Sequence, residues 1–236
     1  MRKRGSEKLE GKMVNNLSLG KKGLTKDYIL ALSKKKNEPK WLCDLRLEGL
    51  RYWNTLSMPK WAPDISELNL DEILMYVETG NEMVSSWDEV PEEIKNTFDR
   101  LGIPAAEQEH LAGVGAQYDS EVIYHNLKER IAKKGVIYLP MEEAIQLTKK
   151  KKEEVIAEYG VDVGSIVKEH FMKLISEKDH KFAALHAAVW SGGSFIYIPK
   201  QVSVEIPIQS YYRLNAPGAG QFEHTLIVVD EGSDLH

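Results

Sequence analysis

Two spacings of apolar residues divide the chain. In the first half, apolar positions recur every three or four residues, the spacing of a helix face. Leu24-Thr25-Lys26-Asp27-Tyr28-Ile29 predicts a helix start: Thr25 can cap it, and Leu24 and Ile29 occupy the two positions of a hydrophobic staple. Pro39 suits the first turn of the next helix. Its apolar set is Leu42, Leu45, Gly49, Trp53 and Leu56, with Asp44, Arg46, Glu48 and Arg51 on the other side, and Pro59 and Pro63 end it. Leu70 to Val77 has the pattern of a short helix. Asp88-Glu89 and Pro91-Glu92-Glu93 place acids in a first turn, followed by the stripe Ile94, Phe98 and Leu101, with Gly102 as the stop. Pro104 opens a short helix through about Ala112. Asp119 or Ser120 begins a longer one on Val122, Ile123, Leu127 and Ile131, closed by Gly135.

Val136 to Leu139 reads as the first strand, followed after Pro140 by helices over about 141–158 and 163–177. From Phe182 onward the period is two. Apolar runs at Phe195 to Ile198, Val202 to Ile208 and Tyr211 to Leu214 are cut by Ser191 to Ser194, by Pro199-Lys200 and by Asn215 to Gly220. Short strands in close succession fit a β-sandwich, a barrel or a β-solenoid. The organisation is a loose tail over 1–20, a helical region over 21–135, a mixed connection over 136–180 and a β-rich part over 181–236. The fold class is α+β.

A chain of 236 residues can bury a core without disulfides, and its one cysteine, Cys43, can form none internally. That cysteine count fits a reducing compartment. The charged N-terminus has no apolar h-region, and no stretch reaches the roughly 20 apolar residues of a membrane span. The expectation is a cytoplasmic protein with no membrane partner. A net charge of −5 argues against a nucleic-acid partner, whose phosphates need neutralising. The basic runs Lys34 to Lys36 and Lys149 to Lys152 are each followed by glutamates and read as solvated helix faces.

Candidate chemistry is sparse. Cys43 lies beside Asp44, Trp41 and Leu42, a setting for a buried structural thiol and not for an activated one. One cysteine provides no zinc or iron–sulfur ligand cluster. The seven histidines form no HxxxH or HExxH pair; His125 on a helix and His186 in a strand read as core or rim residues. Ser191-Gly192-Gly193-Ser194 lacks the G-x-S-x-G elbow and reads as a tight turn. Gly113 to Gly115 is too short for a dinucleotide fingerprint and follows no strand. Tyr211, Arg213 and Asn215 share one face of a strand and bring together a phenol, a guanidinium and an amide, with Glu223 a candidate partner for Arg213. No catalytic constellation is visible, which points to a scaffold or binding module.

Several segments together resemble the SufB family of iron–sulfur cluster assembly scaffold proteins. They are Asn37 to Leu42 with Arg46 and Leu50; SWDEVPEEI at Ser86 to Ile94, continuing through Pro104; Leu111 to Val114 with AQYDSE at Ala116 to Glu121 and His125; Phe182 to Leu185; WSGGSF at Trp190 to Phe195; and Tyr212 to Asn215 with Gly220 to Glu223, Thr225 and Asp230 to Ser233. The SWDEVPEEI, AQYDSE and WSGGSF blocks separate SufB-like chains from the related SufD proteins. The resemblance implies the solenoid among the three β options: a helical N-terminal region followed by the first coils of a right-handed parallel β-helix.

The resemblance further implies a scaffold that is not itself an enzyme. It would work with a SufC-like ATPase, a SufD-like or second SufB-like subunit and cysteine desulfurase or sulfur-transfer proteins. It would carry an iron–sulfur cluster, with reduced flavin associated with the complex. Of the residues the family links to assembly, Arg213 and Asn215 are matched here. Family members are about twice as long and continue past the position of His236 through a Glu-Gly-Cys segment, so the cluster ligands are expected beyond His236 and the chain is expected to be an N-terminal fragment. A split gene, an intein or an incomplete reading frame would each produce one. An N-terminal multi-cysteine cluster of some members is absent, His224 stands where the family usually has Arg, and His186 where it usually has Asn. The alternatives are an assembly module without cluster chemistry and a β-solenoid carbohydrate-active enzyme.

Overall fold

A computed structural model of the chain describes residues 23–65, 67–100 and 111–236. The tail over 1–20, the Leu101-Gly102 stop and the helix expected from Pro104 lie outside the described residues, apart from its last two positions, Leu111 and Ala112. Helix α1 spans Lys26–Lys35, and the Thr25 side chain accepts the Tyr28 amide as its cap. Helix α2 spans Lys40–Thr55, with Pro39 just before it, and ends ahead of Pro59. The stretch expected as a helix over 70–77 is a single 3-10 turn, Leu70–Glu72, followed by the non-helical buried residues Met75, Tyr76 and Val77. A second such turn, Trp87–Glu89, leads into α3, Glu92–Arg100, which buries Ile94 and Phe98 as its spacing predicts.

The helix expected from Asp119 is instead a β-hairpin. Strand β1, Gly113–Tyr118, pairs antiparallel with β2, Glu121–Leu127, around a turn at Asp119 and Ser120, with a register shift between Ala116 and Gln117. The glycines 113 and 115 therefore open a strand, and His125 sits on β2 and not on a helix. Val122, Ile123 and Leu127 are β-branched or aliphatic residues that fit either period. The Asp-Ser turn after a Gly-rich apolar run is the hairpin signal that decides between them. The hairpin lies within the stretch read as helical over 21–135. A short α4, Glu129–Ala132, follows it, and β3 is Ile137–Pro140.

The two helices expected over 141–158 and 163–177 are three shorter ones: α5, Met141–Leu147; α6, Lys152–Tyr159; and α7, Val163–His170. The β pattern expected from Phe182 begins later, because α8 occupies Lys181–Val189. Its alanines at 183, 184, 187 and 188 favour a helix intrinsically, and the His180 side chain accepts the Ala183 amide as its cap. His186 is therefore helical. The run Val202 to Ile208 is not one strand: β5 is Ser203–Val204, Pro207 falls in the break, and β6 is Ile208–Arg213. Strand β4 is Ser194–Ile198, β7 is Leu226–Val229 and β8 is Asp234–Leu235.

The strands form three small sheets, ordered β2-β1-β6, β3-β4-β7 and β5-β8, and none closes into a barrel. Three of the pairings are parallel: β1 with β6, β4 with β7 and β5 with β8. Phe195 faces Leu226 and Ser203 faces Asp234, each pair 31 positions apart, and the Ser191 amide bonds the Phe222 carbonyl at the same separation. Apolar side chains fill the space between these sheets, among them Tyr138, Ile196, Ile198 and Val204. Helices α5 and α7 cover the outer face of β3-β4-β7 with Met141, Ile145, Val163 and Phe171 against Trp190 and Phe195. Helix α3 covers the hairpin, placing Ile94 and Phe98 on Val114, Ala116 and Ile123.

Helices α2 and α8 cross closely. The buried stripe of α2 is Leu42, Arg46, Gly49 and Leu50, so Arg46, expected on the solvent side, is in the interior. Its guanidinium donates to both oxygens of Glu38 and to the carbonyls of Ala188 and Trp190, at 3.1 and 2.9 Å, and lies 4.9 Å from the centre of the Trp190 ring. The carbonyls at the end of α8 have no partner within the helix, and Arg46 supplies one across the interface.

Three half-buried imidazoles are held neutral. Burial lowers the His125 pKa to about 4. Burial, reinforced by the nearby His186, lowers that of His224 to about 3, and the two rings lie 5.3 Å apart. Burial also lowers His186, with the Arg46 charge adding to it and a hydrogen bond from Nε2 to the Glu223 carbonyl opposing it.

Two predictions follow from this packing. A Cβ on Gly49 would lie 2.8 Å from the Ala184 carbonyl oxygen and the Ala188 nitrogen, both backbone atoms. Gly49→Ala should therefore lower the urea unfolding free energy by about 1–3 kcal/mol; an unchanged midpoint would show that the helices separate freely. For the histidines, the folded pKa lies below the unfolded value, so the unfolded chain takes up protons first as pH falls. Stability is complete well above about pH 6.5 and is lost as pH drops through and below it, by up to about 1.4 kcal/mol per pH unit per imidazole. The urea midpoint should fall between about pH 7 and 5, above the range where most carboxylates titrate, and His224→Asn should flatten that slope. A slope identical in the variant would show that His224 is solvated.

Candidate functional site: the Asp119 junction

The β1–β2 turn is built on a buried aspartate in a left-handed conformation. Asp119 has φ of +53°, a region that Asp and Asn enter more readily than most residues, and is 4% exposed. Its Oδ1 accepts the amides of Asn215 at 2.7 Å and Ala216 at 2.9 Å. Its own amide donates to the Arg213 carbonyl at 2.8 Å, and its carbonyl accepts the side-chain amides of Gln117 and Gln221, at 3.0 and 3.2 Å. Next to it, Ser120 Oγ accepts the Val77 amide at 2.9 Å.

Gln117, two residues earlier on β1, is 1% exposed and joins this turn to a second one. Its Oε1 accepts the Gly193 amide at 2.8 Å. Gly192 and Gly193 both have positive φ, and a Cβ on Gly193 would collide with the His224 backbone, so the turn is restricted to glycine there. The Gly192 amide donates to Glu142 Oε1, which also accepts Lys36 Nζ at 2.9 Å. Burial alone would raise the Glu142 carboxyl, but the Lys36 charge and hydrogen bond and the Gly192 amide outweigh it and hold the pKa below the usual range. The segments AQYDSE, WSGGSF and YRLN, far apart in sequence, thus meet at one junction.

A charged cleft of about 570 Å³ borders the junction, lined by Lys35, Lys36, Tyr76, Glu78, Glu121 and Glu142 among others. Lys36 Nζ lies 5.0 Å from the Tyr76 ring centre, and the Tyr76 hydroxyl donates to Glu121 at 2.7 Å. Glu121 also accepts the Thr79 amide and hydroxyl, at 2.8 and 2.7 Å. On the inner side, hydroxyls line up: Tyr138 with Ser210 at 2.7 Å, Ser210 with Ser194 at 3.2 Å, Ser194 with Tyr212 at 3.4 Å and Tyr212 with Thr225 at 2.9 Å.

Arg213 and Asn215 both lie at this junction. Arg213 is the last residue of β6, paired across the parallel ladder with Tyr118, and is half-buried. Its Nε is buried and has no acceptor among the described residues. Among the described residues no ion pair joins it to Glu223; the Glu223 main-chain carbonyl bonds His186 Nε2. Asn215 is exposed and lies past the end of β6, so it leaves the strand face expected for it with Tyr211 and Arg213. Tyr211 turns toward α3, its ring centre 6.4 Å from that of Phe98. Sequence reasoning missed Gln117, Asp119 and Glu142. The signal for Asp119 was an aspartate in a two-residue hairpin turn. No local signal marks the other two.

Among the described residues no group of three or more His, Cys, Asp or Glu is placed to hold a metal, and no helix is long and apolar enough to cross a membrane. Cys43 is half-buried on α2. The arrangement suits positioning: it fixes two turns, with a guanidinium at the end of β6 and an amide just past it.

No family model matches the chain. It is 48% identical over 215 residues to the iron–sulfur cluster assembly protein SufB of Bacillus subtilis (strain 168). It is 47% identical over 215 residues to iron–sulfur cluster assembly SufBD family proteins of Staphylococcus aureus strains USA300 and N315. Each match takes in 91% of this chain and 43% of the relative, so the chain spans less than half the length of the proteins it matches. By this identity, the chain is similar over 215 residues to iron–sulfur cluster assembly proteins of the SufB and SufBD kind.

Proposed function

We propose that the chain serves as a scaffold in iron–sulfur cluster assembly, with the cluster as its cargo and no catalytic step of its own. The observation that carries this reading is the 48% identity, over 91% of the chain, to a protein named for that process. The β part is read as the opening coils of a right-handed parallel β-helix. Support comes from the parallel pairings β4–β7 and β5–β8, in which strands 31 positions apart stack on one another, as successive coils of a solenoid do.

In this reading Arg213 and Asn215 act in assembly from the loop that Asp119 holds. The cluster ligands belong to the portion of the relatives that this chain does not cover. ATP hydrolysis belongs to a SufC-like partner, with a SufD-like or second SufB-like subunit beside it, sulfur arriving from a cysteine desulfurase system and reduced flavin serving the complex. The setting is the cytoplasm.

Anaerobic reconstitution with ferrous iron and sulfide tests this. The chain is mixed with the complementary C-terminal portion of the Bacillus subtilis relative, and visible absorbance is followed. A cluster band is expected with both parts present and not with the chain alone. No band from the pair would favour an assembly module without cluster chemistry. A band from the chain alone would show that the ligands lie within it.

A further inference from the structure

We propose that Asp119 is a positioning residue for cluster assembly: it sets the backbone of residues 213–216 and thereby aims Arg213 and Asn215. The proposal rests on the functional reading of those two residues given above.

The geometry is specific to this loop. Asp119 contacts it at three backbone points, accepting from Asn215 and Ala216 through one oxygen and donating to the Arg213 carbonyl through its amide. The first two bonds are made by the side chain to amides with no strand partner, since β6 ends at Arg213. Bonds from backbone amides to a carboxylate are charge-assisted and among the stronger ones available. The aspartate is itself fixed, because its carbonyl is held by Gln117 and Gln221 and the neighbouring Ser120 is tied to Val77.

The loop held this way carries an unmet donor. Arg213 Nε is buried and bonds to no described acceptor, although the carbonyl of the same residue is fixed by Asp119. A buried donor without a partner is a standing cost. Pairing of β6 with β1 before Arg213 and the Asp119 bonds after it fix its Cα, and so set the point from which the guanidinium extends. The Asn215 side chain, exposed beside it, makes no hydrogen bond within the described residues, and its amide nitrogen on the main chain is the atom that Asp119 holds. Asp119 touches neither functional head group, so its role is to position them.

The test separates this hold from general stability. Asp119→Gly keeps a backbone that tolerates positive φ while removing the carboxylate, and Asp119→Asn keeps an oxygen that can accept both amides. Amide exchange at 215 and 216 is read by NMR. Cluster yield is read by absorbance with the C-terminal portion of the Bacillus subtilis relative present. In Asp119→Gly the two amides should exchange about tenfold faster or more, and cluster yield should fall to that of the Arg213→Ala/Asn215→Ala double variant. Combining the three substitutions should cause no further loss, and Asp119→Asn should restore both readouts. Unchanged exchange in Asp119→Gly, or losses that add, overturns the proposal while leaving the functional reading intact. If the double variant assembles cluster like the parent, the functional reading of Arg213 and Asn215 fails, and the proposal fails with it.

Discussion

Four backbone amides in two turns, those of Gly192, Gly193, Asn215 and Ala216, donate to side-chain oxygens. Buried amides need acceptors, and turns cannot provide them from a ladder. Glu142, Gln117 and Asp119 meet the requirement. Gln117 lies on β1 and Asp119 in the turn that directly follows it, and β1 is also the strand that joins the hairpin to β6 in a parallel pair. The register of β1 therefore fixes both turns together. A slip by one residue would turn Gln117 to the other face and leave the Gly193 amide unpaired.

The helical side is tied to the same junction by charge. Lys36, next to the end of α1, reaches Glu142, and Glu142 holds the Gly192 amide. Arg46 on α2 reaches the carbonyls of Ala188 and Trp190, immediately before the same turn. Removing either partner of the Arg46–Glu38 pair would leave a buried charge uncompensated, a loss of about 3–5 kcal/mol. The close approach of α2 and α8 at Gly49 brings that guanidinium within range. Helix packing and turn geometry meet here: the close crossing at Gly49 brings Arg46 to the last carbonyls of α8, just before the Gly192-Gly193 turn.

Much of the helical part was legible in the sequence because its signals are local. Thr25, Pro39 and the acids before Ile94 act within one turn, and α1, α2 and α3 begin where those residues stand. Strand β4 was equally plain between Gly193 and Pro199. The errors fell where two periods fit the same residues. Val122, Ile123 and Leu127 suit a helix face as well as a strand, and only the Asp119-Ser120 turn and the partner strand select the hairpin. In α8, apolar residues at nearly every position hide the period, and alanine propensity decides. Arg46 was placed outside because charge predicts exposure, and its burial depends on Glu38 and on carbonyls more than 140 positions away. The candidate site was half legible: Arg213 and Asn215 came from a resemblance, while Asp119 and Gln117 matter through long-range bonds that no local pattern encodes.

The two interior arginines are informative when compared. Arg46 is fully buried and satisfied, with bonds to both Glu38 oxygens and to two carbonyls. Arg213 is only half-buried, yet its Nε reaches no acceptor among the described residues, a deficit of about 1–3 kcal/mol. Arg213 has its carbonyl held by Asp119 and its strand fixed against β1, so its backbone is well specified while part of its guanidinium is not. A fixed main chain whose donor is unmatched among the described residues leaves that donor open to an acceptor outside them. That contrast, more than the position of Arg213 in a strand, is the physical support for the proposal that it acts in assembly.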